Sequence, residues 1–156
     1  MNEFWNGRQF RRALKCYPPP GHPVPVVSVE MAARPDQFVP VMGKVDTGAF
    51  RTVLTFETAM RLGIRDPKSS PIRVGMAQTA TGEEVSYFVH TVSVRIVQAV
   101  VGFAEGARPE DPKWPAIEFP LAAAFVEKAK RNQFGVDWLH VLCLAVDSQA
   151  VHFLAD

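Results

Sequence analysis

Short runs of β-branched and apolar residues, separated by proline, glycine and polar residues, recur along most of the 156-residue chain. Such runs favour β-strands, because branched side chains fit a pleated, half-buried surface. The run at 85–101 alternates apolar and polar side chains over part of its length, as one bent strand or two strands would. Strands are expected at 26–31, 38–45, 72–78, 85–101, 141–146 and 151–154. This spacing predicts a mainly β domain that is a closed β-barrel or nearly so.

Turn and cap residues refine this prediction. Gly43 is expected to permit a bend or bulge in the second strand. Residues 79–84, Thr-Ala-Thr-Gly-Glu-Glu, predict the turn of a projecting hairpin between two strands. A short helix is expected to begin after Thr55 as its cap, with Gly63 in the left-handed position beyond its end. A second helix is predicted at 121–131, because Leu121, Phe125 and Ala129 share one helical face and basic residues crowd its end.

The two ends of this domain are less regular. Residues 1–16 predict either a short amphipathic helix or an arm that docks on another surface, and residues 17–25 an extended, proline-rich linker. We therefore expect an N-terminal arm and linker over 1–23 and one domain over 24–156. Residues 104–120 are proline-rich and acidic, as a surface loop or insertion would be.

Composition excludes several classes of function. The formal net charge is +1, which gives no electrostatic reason to expect nucleic acid or an anionic membrane as a partner. The chain has no apolar run long enough to cross a bilayer and no secretion-signal pattern at its start, so a cytoplasmic location is expected. Cys16 and Cys143 are predicted to be free thiols rather than a disulfide or redox pair. The four histidines show no metal-ligand spacing, so neither a metal nor another cofactor is expected.

The residues most informative about chemistry are 45–49, Val-Asp-Thr-Gly-Ala, where an apolar strand ends in an acid, a hydroxyl and a glycine. Such a turn holds its carboxylate rigid, and its glycine lets another backbone approach closely. If two such turns meet, the carboxyls share one proton and can act together as acid and base on a water and a carbonyl. Taken alone, the tripeptide Asp-Thr-Gly is more typical of a surface turn than of a catalytic site.

Four segments, in the same order along the chain, make the sequence resemble the retropepsin-like aspartic peptidases. They are the turn at 46–49 with Val53-Leu54 and Ala59–Ile64, the polar hairpin at 79–82, the strand-rich stretch to Val101, and 134–139, Phe-Gly-Val-Asp-Trp-Leu. The resemblance covers about residues 26–154 and implies a closed acid-protease β-barrel with short helices, one lobe per chain.

The resemblance also implies roles for individual residues. Asp46 would be the catalytic acid, and Asp137 is expected to cap a short helix rather than to be a second catalytic acid. The remaining implied site residues are Thr47, Gly48 and Ala49 in the active-site turn and dimer contact, Thr79, Ala80, Thr81 and Gly82 in a flap over bound peptide, and Gly135 packed behind the turn.

Three features depart from the family pattern. Gln133 stands where an apolar residue is usual, so packing there is expected to be looser or polar. Val136 replaces the usual arginine or asparagine. The segment 104–131 is longer than a minimal member requires, as a specificity wall, a regulatory element or surface elaboration.

One Asp-Thr-Gly occurs in the chain, whereas the chemistry needs two, so the resemblance implies a homodimer. The terminal segments are candidates for its interface. The predicted function is an aspartic endopeptidase acting on peptides or proteins. One alternative is a weakly active or inactive dimer of the same fold that binds peptides, and another is an unrelated small β-barrel with a ligand-binding mouth.

Overall fold

The computed structural model describes the backbone at 4–5, 8–9, 12–15, 26–79, 81–96, 117–140, 143–146 and 150–154, and side chains at 26–79, 81–96 and 117–138. This part of the chain is mainly β, as predicted. Besides helix α1 (Phe56–Arg61) and a 3-10 helix (Val136–His140), it contains twelve strands. They are β1 (Phe4–Trp5), β2 (Arg8–Gln9), β3 (Arg12–Lys15), β4 (Val26–Ala32), β5 (Val39–Val45), β6 (Val53–Thr55), β7 (Arg73–Gln78), β8 (Glu84–Ile96), β9 (Ile117–Val126), β10 (Gln133–Phe134), β11 (Cys143–Val146) and β12 (Ala150–Leu154).

Seven of these strands form the main sheet, in the order β4-β5-β10-β6-β9-β8-β7. Strand β4 also pairs with β8, so six of the seven strands close into a ring with β7 outside it. Two neighbouring pairs are parallel, β10 with β5 and β6 with β9. The short β10 lies between β5 and β6, and it therefore brings a late part of the chain beside the end of β5.

The described terminal segments are also strands. Strand β1 pairs with β2, and β3 joins β12 and β11 in a separate three-stranded sheet. A helix over residues 1–16 is therefore wrong, because pairing with the edge of β12 overrides the local helical spacing. The linker at 17–25 lies outside the described residues, and the boundary between 23 and 24 stays a prediction. The thiol groups of Cys16 and Cys143 are also outside the described side chains.

The core lies within the main sheet. Alternate residues of β4 are buried, which matches the two-residue period of a strand with one face on a core. Trp138 stacks on Phe134 with ring centroids 4.7 Å apart, and both side chains are buried. Gly43 gives the Phe134 ring its space, since a Cβ there would lie 2.6 Å from the ring. Gly43 pairs in register with Val27, so its role is close packing rather than the expected bend.

Helix α1 begins and ends as predicted. Thr55 caps it by accepting a hydrogen bond from the Thr58 N–H at 3.1 Å. Gly63 follows the last turn with a φ of 82°, the left-handed conformation that glycine adopts without a steric cost.

The helix predicted at 121–131 is wrong. Residues up to Val126 belong to β9, which pairs with β8 on one side and β6 on the other. Leu121 and Phe125 are four residues apart, a spacing that suits one face of a strand as well as one face of a helix. These residues form a strand because they lie between β8 and β6 in the sheet, and residues 123–126 are all buried there. Residues 117–120, expected in a loop, also belong to β9, whereas 104–116 lie outside the described residues.

The hairpin between β7 and β8 is present, with Gln78 paired to Glu84 across the turn. Strand β8 ends at Ile96, and residues 97–101 lie outside the described part of the chain. No helix among the described residues is long and apolar enough to cross a membrane.

The core predicts a large difference between two methionine truncations. Met31 is 0% exposed on β4, whereas Met60 on α1 is 68% exposed. Met31→Ala should lower the free energy of unfolding by about 2–5 kcal/mol, because it leaves a cavity among packed side chains. Met60→Ala is the matched control and should change stability by less than about 0.5 kcal/mol. Urea denaturation measures both, and equal losses would contradict this placement of the core.

Candidate active site

Asp46 follows directly after β5, where three backbone hydrogen bonds fix the turn. Its N–H donates to the Phe134 carbonyl at 2.9 Å, which extends the parallel pairing with β10 by one bond. The Ala49 N–H donates to the Asp46 carbonyl at 3.1 Å and closes the turn. The Val136 N–H then donates to the Ala49 carbonyl at 2.8 Å. The turn is therefore held from both ends by residues 134–136.

Gly135 packs against the back of this turn. A Cβ on Gly135 would lie 2.5 Å from the Arg51 carbonyl carbon and 2.7 Å from the Ala49 carbonyl oxygen. Backbone atoms leave no room for even a methyl group at such distances. Gly135 therefore lets its own segment lie directly against the backbone of residues 49–51. The resemblance implies the same contact for this glycine.

Asp137 supports the turn in a different way from the one expected. It is the second residue of the 3-10 helix, so the prediction that it caps that helix is wrong. Its two carboxylate oxygens accept hydrogen bonds from Thr52, from the N–H at 2.8 Å and from the hydroxyl at 2.7 Å. The same Thr52 hydroxyl accepts from the Gly135 N–H at 3.2 Å, and Thr52 is 0% exposed. Asp137 therefore ties the segment after the turn to the element behind it.

The Asp46 carboxylate receives hydrogen bonds on both oxygens. The Gly48 N–H donates to Oδ1 at 3.0 Å. Lys44 Nζ lies 3.3 Å from Oδ2, and the Gln133 side-chain amide donates to the same oxygen. The sequence identified Gln133 as unusual but not as a partner of Asp46, and it gave Lys44 no role.

The register of the strands explains why these three side chains meet. Lys44 and Asp46 are two residues apart, so they point to the same face, opposite the buried Gly43 and Val45. Gln133 pairs with Lys44 across the parallel β5–β10 contact and so extends from the same face. The two-residue spacing of Lys44 and Asp46 was visible in the sequence, but the pairing partner of Gln133 was not.

These contacts favour the ionised carboxylate. The Gln133 hydrogen bond is the largest influence that lowers the pKa of Asp46, and Gly48 and Lys44 lower it further, while burial opposes them. The side chain is 24% exposed, so water still reaches it. Since the pKa is lowered, these bonds stabilise the fold above the pKa of an unfolded aspartate and are lost as the pH falls through the lowered value.

The far side of the turn faces outwards. Thr47 and Gly48 are exposed, Ala49 is half-buried, and the Phe50 side chain is 83% exposed. This side of the turn is therefore open to solvent.

The hairpin between β7 and β8 carries the other predicted site residues. The Thr79 N–H donates to the Glu83 carbonyl at 2.8 Å, and the Gly82 N–H donates to the Thr79 carbonyl at 2.9 Å. The Thr79 and Thr81 hydroxyls are 2.9 Å apart. Ala80 lies outside the described residues. Among the described residues, hydrogen bonds connect the Asp46 turn with 132–137 and not with this hairpin.

The Asp137–Thr52 contact predicts a measurable coupling. Asp137→Ala should lower the free energy of unfolding by about 1–3 kcal/mol, because two Thr52 donors lose their acceptors inside the protein. Asp137→Asn keeps one acceptor oxygen and should cost less. In a double-mutant cycle with Thr52→Val, urea denaturation should give a double loss smaller than the sum of the single losses. Additive losses would contradict a direct contact.

Comparisons with known proteins agree with this geometry. A family model described as aspartyl protease matches residues 28–104, which include Asp46. No curated protein sequence gave a significant match. Among solved structures, a retropepsin-like aspartic protease from Rickettsia conorii superposes with a TM-score of 0.52 at 16% identity, over 90% of this chain and 89% of that chain.

Two further structures match less closely. The EIAV protease in complex with the inhibitor HBY-793 is 18% identical over 76% of this chain and 86% of its own, with a TM-score of 0.45. The retroviral protease-like domain of Ddi1 from Leishmania major is 19% identical over 82% of this chain and 91% of its own, with a TM-score of 0.34. The superposition on the Rickettsia protein shows that this chain has a retropepsin-like fold, and the segment that contains Asp46 is similar to the aspartyl protease family model.

Proposed function

We propose that the protein is an aspartic endopeptidase in which Asp46 from each of two identical chains forms the catalytic pair. The observation that carries this proposal is the position of the Asp46 carboxylate. Its turn is hydrogen-bonded to residues 134–136 on one side, and Thr47 and Gly48 are exposed on the other. A catalytic group needs this combination, because it must keep its geometry while remaining open to substrate.

A second chain is part of the proposal because one carboxylate is not enough. The 156 residues contain one Asp-Thr-Gly, so the second acid would come from an identical turn related by a twofold axis. The exposed Thr47 and Gly48 would face the same residues of the partner. Gly48 has no side chain to keep the two turns apart, and the Thr47 hydroxyl can donate and accept hydrogen bonds across the axis.

The pair would hydrolyse a peptide bond without a covalent intermediate. Two close carboxyls share one proton, because both cannot ionise cheaply side by side. The ionised Asp46 takes a proton from a water whose oxygen attacks the carbonyl carbon, while the protonated Asp46 gives its proton to the carbonyl oxygen. As the C–N bond then breaks, the Asp46 that holds the water proton gives it to the amine nitrogen. A hydroxyl of the tetrahedral intermediate returns its proton to the other Asp46 as the carbonyl re-forms, so the pair again holds one shared proton.

The hairpin between β7 and β8 would act as the flap over bound peptide. Its tight turn contains Gly82 with a φ of 84°, and its residues 81–84 are exposed. Thr79 and Thr81 would supply polar groups to the peptide backbone. An extended peptide under a hairpin can bond through its main chain, so this arrangement suits a protein or peptide substrate.

One observation favours a second candidate function, a peptide-binding dimer with little or no catalysis. Lys44 and Gln133 both hold the ionised form of Asp46, whereas the reaction needs one proton on the pair. A dimer that kept both carboxylates ionised would bind peptides without cleaving them.

A cleavage assay distinguishes the two functions. The wild-type protein and Asp46→Asn are incubated with a mixed peptide library from about pH 4 to about pH 7, and products are identified by mass spectrometry. We expect the wild type to cleave and the variant to lose at least about 100-fold in rate, the lower end of what a general acid or base contributes.

Light scattering on both proteins is the control. Both should be dimers, since the substitution keeps the size of the side chain. Peptide binding without cleavage by a folded dimer would favour the binding function. A wild type that stays monomeric at high concentration, or an Asp46→Asn variant as active as the wild type, would contradict the proposed pair.

A further inference from the structure

Three donors surround the Asp46 carboxylate, and two of them share one oxygen. Oδ1 accepts from the Gly48 backbone, a bond made by the turn itself. Oδ2 is bound by the Gln133 amide and by the Lys44 ammonium, the latter at 3.3 Å. Both side chains leave from neighbouring strands in register, so their approach follows from the sheet. Nothing in the turn itself requires them.

Few other charged side chains lie near this carboxylate in the part of the chain whose side chains are described. The elements packed around Asp46 are β5, the turn to Thr52, β10 and the 3-10 helix, and their described charged side chains besides Asp46 are Lys44, Arg51 and Asp137, whereas the side chain of His140 lies outside the described set. Asp137 has both oxygens on Thr52. Of this set, Lys44 is the charged group that forms a salt bridge with Asp46 among the described residues.

We infer that Gln133 and Lys44 are positioning residues that hold Asp46 through Oδ2 and restrict the active, singly protonated pair to acid pH. This inference rests on the proposed peptidase function and specifies its regulation by pH. Neither residue would touch the scissile bond. They would act on the reaction through Asp46.

The physical reason is a competition between repulsion and hydrogen bonding. In an aspartic pair, repulsion between two like charges keeps one proton bound as the pH rises. Here each chain would contribute one amide and one ammonium, so four donors would face the two carboxylates of the dimer. These donors stabilise the doubly ionised state, which lacks the proton that the carbonyl oxygen must receive. The direction of the Asp46 pKa, lowered chiefly by Gln133, agrees with this reasoning.

The test is the pH dependence of kcat/KM for a peptide that the wild type cleaves. Gln133→Leu and Lys44→Met each remove the donor and keep a side chain of similar length. In both variants the fall in activity at high pH should move to higher pH, and activity at neutral pH relative to the maximum should rise several-fold. In the double variant, the fall in activity should move to a higher pH than in either single variant.

Lys68→Met is the matched control. Lys68 pairs with Glu127 at 2.8 Å on the surface, so its removal should leave the pH profile superimposable on that of the wild type. A purely structural loss in Gln133→Leu would lower activity at every pH without moving the profile. Profiles that superimpose for wild type, Gln133→Leu and Lys44→Met would overturn the inference, even if Asp46→Asn abolishes cleavage.

A second readout separates this inference from the proposed function. The Asp46 carboxyl carbon can be titrated by 13C NMR, with the signal assigned by its loss in Asp46→Asn. A titration midpoint that moves to higher pH in Gln133→Leu supports the role of Gln133, whether or not peptides are cleaved. An unchanged midpoint contradicts it. A wild type that cleaves no peptide would refute the peptidase proposal alone.

Discussion

The short parallel contact between β10 and the end of β5 is the interaction on which the site depends. Two backbone hydrogen bonds, from Asp46 to Phe134 and from Val136 to Ala49, join the two segments around the turn. Backbone groups that lose such bonds inside a fold are costly to leave unpaired, so the two segments are fixed together. The carboxylate therefore owes its position to residues far along the chain rather than to its own turn alone.

The same contact links the site to the core. On its buried side, the Phe134 ring fills the space left by Gly43 and stacks on Trp138. On its outer side, Gln133 reaches Asp46. A two-residue strand thus presents one side chain to the core and one to the carboxylate, because successive strand residues point to opposite faces. Packing in the core and chemistry at the turn are consequently not independent.

Local signals in the sequence predicted the local parts of this arrangement. The cap and end of α1, the hairpin after Gln78 and the turn at 46–49 depend on residues close together in the chain, whose preferences are set by sterics and short-range hydrogen bonds. Helical and strand periods coincide at a spacing of four residues, and for that reason 121–126 was predicted as a helix although it is a strand. Only its neighbours β6 and β8 decide between the two.

Contacts that depend on register could not be predicted in this way. Gln133 and Asp46 are 87 positions apart, and their meeting requires the alignment of β10 with β5. Asp137 was expected to cap a short helix but lies within it, and its bond to Thr52 depends on the same alignment. The sequence identified both residues as notable, whereas the partner of each followed only from the fold.

The central claim, that two Asp46 side chains form one catalytic pair, can be tested most directly by mixing subunits. Wild type and Asp46→Asn are denatured and refolded together in varied ratios, so that dimers form at random, and cleavage is measured at constant total protein. If each active site needs Asp46 from both chains, activity should fall as the square of the wild-type fraction. A fall in direct proportion to that fraction would show that a single Asp46 suffices and would contradict the account.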